Sequence, residues 1–74
     1  MTKNEVIAKV NDTRLDESVY VNINGKSFGQ DWKFMTTKIL KENLTDDKNY
    51  EVSFGCPYSY KVYIAYGEVT VREV

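Results

Sequence analysis

The side chains that could do chemistry in this sequence are few and scattered. Histidine is absent altogether, which removes the commonest general base, proton shuttle and transition-metal ligand in one stroke. Cys56 is the only cysteine, so no internal disulfide and no multi-thiolate zinc site can form from this chain. As a nucleophile Cys56 would need a base and a lowered pKa, and only lysine, arginine or a helix end is present to provide them. A small buried thiol beside a turn is the simpler reading. Adjacent carboxylates occur at Asp16-Glu17 and Asp46-Asp47. Both fall in segments read as polar loops, where nothing raises a carboxyl pKa toward acid–base work, and neither has the spacing of a calcium loop. Gly25, Gly29, Gly55 and Gly67 are dispersed and make no phosphate-binding loop. The expectation is a protein without catalytic, metal or cofactor-binding residues, and not an enzyme.

Binding is the chemistry that remains. The chain has 6 tyrosines, a residue that offers large contact area at low entropic cost with a polar tip. Tyr50, Tyr60 and Tyr66 are assigned to core faces, leaving Tyr20, Tyr58 and Tyr63 as interface candidates. Tyr63 with Lys61 and Arg72 reads as an aromatic and cationic patch on an open sheet face. The same patch has a second reading, stacking and phosphate contact with single-stranded nucleic acid or RNA. Glu51 and Glu73 nearby and the absence of an aromatic RNA-binding run argue against it. A second surface is the outer side of the main helix, where Phe34, Lys38 and Lys41 fall at i, i+4 and i+7; the alternative is a helix that begins after Phe34 and buries it. The terminal strand, residues 69–74, reads as a sheet edge able to pair with another chain and so as a route to a homodimer.

The elements that must hold these residues can be read from spacing. Thr2-Lys3-Asn4-Glu5 has the spacing of a capping box, and Val6, Ile7 and Val10 share a helical face, which predicts a helix over residues 3–11 in preference to a strand that alternates Val6, Ala8 and Val10. Residues 11–18 read as a polar connection. Val19, Val21 and Ile23 alternate into Asn24-Gly25, the strongest signal for a two-residue type I′ hairpin. That turn sets Ile23 opposite Lys26 and Val21 opposite Phe28, with the return strand ending at Gly29. Trp32, Met35, Ile39, Leu40 and Leu44 then predict the main helix over residues 30–44, with Trp32 on its buried side; the alternative is a shorter helix capped by Thr36 or Thr37, since Trp32 and Phe34 also alternate as a strand would. Three strands follow, the last two joined by a tight turn at Gly67-Glu68 that pairs Tyr66 with Val69 and Ile64 with Val71.

Helix, hairpin, helix and three-strand meander imply an α+β fold, a single-layer antiparallel sheet of about five strands with one or two helices on one face, in the order α-β-β-α-β-β-β. With 74 residues, one domain spanning 1–74 is expected. Hydrophobic residues at 42% and charged residues at 28% are those of a globular chain rather than a disordered one. The formal net charge of -1 gives no overall field toward nucleic acid or anionic membrane. The start of the sequence lacks the pattern of a signal peptide and no run is long and apolar enough to span a bilayer, so a soluble, cytoplasmic protein is expected. The functional expectation is a non-catalytic protein-binding module, a small inhibitor or adaptor of the kind that phages and mobile elements direct at host proteins. The alternative is a single-strand nucleic-acid or RNA-associated module.

Overall fold

The computed structural model describes residues 1–55 and 65–74. Its elements are α1 (Lys3–Asp12), β1 (Leu15–Ile23), β2 (Lys26–Trp32), α2 (Lys33–Asn43), β3 (Tyr50–Gly55) and β4 (Tyr66–Glu73). The capping box forms as its spacing requires: the Thr2 hydroxyl accepts from the Glu5 amide at 3.3 Å, and the Glu5 carboxylate accepts from the Thr2 amide at 2.9 Å. Two amides that have no partner inside the helix are thereby satisfied, and α1 buries Val6, Ile7 and Val10 on one face.

The hairpin turn also forms where the residue pair demands it. Asn24 (φ 52°) and Gly25 (φ 83°) both occupy the left-handed region, and Ile23 stands opposite Lys26. Asn24 does more than turn the chain, because its amide donates to the Val71 carbonyl at 2.9 Å and its side-chain oxygen accepts from the Glu73 amide at 2.7 Å. The turn is thus stitched to β4. Both hairpin strands are longer than the alternation alone indicates. β1 begins at Leu15 rather than Val19, which puts Asp16-Glu17 on a strand instead of in a loop, because Leu15 pairs with Tyr66 and Ser18 with Trp32. β2 continues past Gly29, which adopts φ 74° where the register shifts between Tyr20 and Asn22. This is a β-bulge, in which glycine supplies the backbone angle and the strand resumes one residue out of step. α2 consequently starts at Lys33, not Gln30: backbone partners on β1 hold residues 30–32 in the sheet against their helical spacing.

The four strands lie in the order β2-β1-β4-β3. β1 pairs antiparallel with β2 but parallel with β4, and β4 pairs antiparallel with β3. The architecture is therefore α+β as expected, with 2 helices and a mixed sheet in the order α-β-β-α-β-β among the described residues. The expected meander is corrected in two respects. Gly67-Glu68 is not a turn; both residues lie inside β4, where Glu68 pairs with Gly55 on one side and Tyr20 on the other. The terminal strand is not an edge either. β4 is hydrogen-bonded on both sides, so the rim that the homodimer expectation required is already occupied. The expected strand through Tyr58, Tyr60, Lys61 and Tyr63, and the site residues on it, lie outside the described residues, as does Cys56.

The core sits between one face of the sheet and the helices. Val19, Val21 and Ile23 of β1 and Val69 and Val71 of β4 join Val6, Ile7, Val10, Leu40, Leu44 and Tyr50 in one buried cluster. The parallel central pair is the most aliphatic part of the sheet, as strands covered by helices must be. Tyr50 is buried as expected, and its hydroxyl accepts from the Thr45 amide at 2.9 Å, which satisfies the polar tip. Ala65, just before β4, is buried as well. No helix among the described residues is long and apolar enough to cross a membrane.

Candidate functional site

With the helices on one side, the register fixes which side chains share the other. Ser18 pairs with Trp32 and Tyr20 with Gln30 across β1 and β2, and Tyr20 pairs with Glu68 across β1 and β4. Partners across a ladder point to the same face, so Tyr20 and Trp32 are diagonal neighbours on the open face, within reach of aromatic side chains. Trp32 is 57% exposed and Tyr20 42%. Phe34, two residues on in the first turn of α2, is 72% exposed. Two exposed rings on the open face and a third on α2 are the most conspicuous departure from ordinary burial among the described residues.

Local physics explains this exposure. The bulge at Gly29 turns the end of β2 so that Trp32 pairs with Ser18 on the open face. Trp32 then stands at the N-cap of α2 with no side-chain cap bond, while Asp31 accepts from the Trp32 amide at 2.8 Å and sets a carboxylate near the positive end of the helix dipole. α2 buries Thr36 and Leu40, which leaves Phe34, Lys38 and Lys41 on its exposed side, the grouping that the i, i+4, i+7 spacing predicts. Phe34 also borders a cleft of about 540 Å³ beside Val10, Arg14, Asp16, Glu17 and Lys33. Its charges are of both signs.

The predicted site residues that the structure describes do not form one patch. Tyr20 belongs to the open face near Trp32, and Phe34, Lys38 and Lys41 follow along α2. Arg72 lies further along the open face beside β3, where its guanidinium is 3.7 Å from the Glu51 carboxylate. Tyr58, Lys61 and Tyr63 are outside the described residues, so the aromatic and cationic patch expected around Arg72 has only that one member here, facing a carboxylate. Trp32 is the residue that sequence reasoning missed. Its signal was the strand-like alternation with Phe34, which the stronger helical spacing of residues 35–44 obscured.

Two carboxyls are held below the ordinary range: Glu5 by its bonds to Thr2, and Asp47 chiefly by the Thr45 side chain. Both shifts keep the groups ionised, as turn and capping residues are. Among the described residues no three acidic, histidine or cysteine side chains converge on a common point. Comparison with known proteins finds no matching family model, no matching curated relative and no matching solved structure.

Proposed function

We propose that this protein is a non-catalytic protein-binding module, a small inhibitor or adaptor of the kind phages and mobile elements direct at host proteins, and that it engages its partner through Tyr20, Trp32 and Phe34. The observation that carries this reading is the exposure of all three rings, Tyr20 and Trp32 as diagonal neighbours on the open face and Phe34 two residues beyond Trp32 in the chain. Tyrosine and tryptophan are the commonest energetic anchors of protein interfaces, and desolvating such rings in partner pockets supplies most of the affinity of a small contact. Lys38 and Lys41, continuing from Phe34 along α2, would favour a partner whose surface beside the aromatic pocket is acidic.

The test is affinity capture from the native host, followed by calorimetry with the purified partner. The expected result is one stoichiometric partner, with Trp32→Ala and Phe34→Ala each weakening binding by about thirtyfold, the cost of losing an anchor of about 2 kcal/mol. Arg72→Ala is expected to change little, since Arg72 lies against Glu51 on β3 and not against Tyr20 or Trp32. Retention of full affinity by both aromatic variants refutes the surface proposed.

A further inference from the structure

We infer that a second copy of this chain pairs with the outer rim of β2, antiparallel and about a two-fold axis at Phe28-Gly29, so that the two sheets become one. β2 has β1 on one side and no strand on the other among the described residues. The opposite rim of the sheet is partly taken, because Met1 exchanges two backbone hydrogen bonds with Tyr50, each 2.7 Å, at the start of β3. An uncovered rim of amides and carbonyls is a template for another strand.

The residues on β2 select the partner. Lys26 pairs with Ile23 and Asp31 with Val19, so both lie on the helix side of the sheet, whereas Ser27 and Gln30, opposite Asn22 and Tyr20, lie on the open side. In an unbroken strand Lys26 and Asp31 would point to opposite faces; the bulge at Gly29 brings them to the same one. Strands paired about a two-fold axis must match face to face as well as charge to charge. With the axis at Phe28-Gly29, Lys26 meets the second copy's Asp31, Ser27 meets the second copy's Gln30, and both contacts occur twice. Moving the pairing by one residue sets helix-side residues against open-side ones. Moving it by two in the direction that keeps most of the strand paired sets Asp31 against Phe28 and leaves Lys26 without a carboxylate. At the axis itself a side-chain carbon added to Gly29 would meet nothing within 4 Å, which leaves room for an aromatic ring across from a glycine, a pairing that stabilises glycines on sheet edges. The formal net charge of -1 opposes self-association only weakly. This contact uses the backbone rim and the charges of β2 and does not rest on the aromatic surface.

Charge reversal tests it directly. Sedimentation of the natural sequence over a range of concentrations should show a monomer–dimer equilibrium that weakens with salt. Lys26→Glu alone and Asp31→Lys alone should each weaken dimerisation by about tenfold or more, since each sets like charges together twice. An equimolar mixture of the two variants should recover association as a heterodimer, visible by native mass spectrometry. In that heterodimer the introduced carboxylate meets the introduced ammonium across one contact, and the natural pair, Lys26 and Asp31, meets across the other. Asp31→Asn retains an acceptor for the Trp32 amide while deleting the charge, and should weaken the dimer without altering the far-ultraviolet circular dichroism. A natural chain that is monomeric at every concentration, single variants that dimerise undiminished, or a mixture that stays monomeric would each overturn the inference.

Discussion

Asn24 shows how much one residue can carry in a domain of this size. It holds a left-handed backbone angle and two bonds to β4, through its amide and its side-chain oxygen. Asn24→Gly keeps the angle and loses the side-chain bond, whereas Asn24→Ala loses both advantages. We expect the alanine variant to be destabilised by about 1–2 kcal/mol and the glycine variant by less, as read from urea unfolding. Glu5 gives a pH signature of known sign. Its bonds to Thr2 lower its carboxyl from the ordinary value of 4.5, so its contribution to stability is complete above that value and is lost as the pH falls through the lowered one. A stability profile between about pH 6 and pH 2 should show this acid loss, and Glu5→Gln, which keeps an acceptor without the charge, should remove that step. Both sites are legible in the sequence because each depends on neighbours in the chain: a residue pair that tolerates positive φ, and a hydroxyl three residues before a carboxylate. Trp32 is not legible in this way. Its exposure follows from a bulge and a pairing with Ser18, and the only local mark was the strand-like alternation of Trp32 with Phe34, which the helical spacing after it outweighed.

The elements divide along the same line. Capping and turn chemistry place α1 and the hairpin turn correctly, and the aliphatic alternation of residues 19–23 gives the correct buried face. The expected extent of α2 is too long at its start because Gln30, Asp31 and Trp32 find backbone partners on β1, and a ladder bond formed there outweighs a modest helical preference. β4 departs furthest from its expectation. Gly67-Glu68 carries the composition of a hairpin turn, yet both residues are extended between two neighbouring strands. A parallel pairing such as β1 with β4 joins residues far apart in the chain and has no turn of its own to announce it. Among the described residues the largest fully buried side chain is Leu40, on α2. Leu40→Ala should cost about 2–5 kcal/mol. In a small domain that is much of the total stability, so the variant should unfold at far lower urea or be largely unfolded at about 25 °C by circular dichroism.

For the whole molecule, the separation into a helix-covered face and an open face decides what is available to a partner. The open face carries Glu51 and Glu68 as well as Arg72, and Arg72 faces Glu51. Together with a net charge of -1, this distribution gives phosphates little to bind. Titration with labelled single-stranded oligonucleotides at low salt is expected to show no saturable binding; a steep, salt-dependent isotherm would instead favour the nucleic-acid reading. Tyr20, Trp32 and Phe34 offer exposed rings rather than cations, which favours the protein-binding proposal over phosphate contact.

The sequence by itself determined the α+β class, the capped first helix, the type I′ turn and the buried aliphatic face of residues 19–23. Each of these follows from steric limits or side-chain bonds within a few residues, or from the spacing of apolar positions along one element. Only the tertiary structure decided that β4 runs inside the sheet, that β2 is an open rim among the described residues, and that Trp32 and Phe34 stand in water. Those outcomes rest on which strands find each other across long stretches of chain, and backbone hydrogen bonds are made by every residue alike, so their partners are not encoded in residue type.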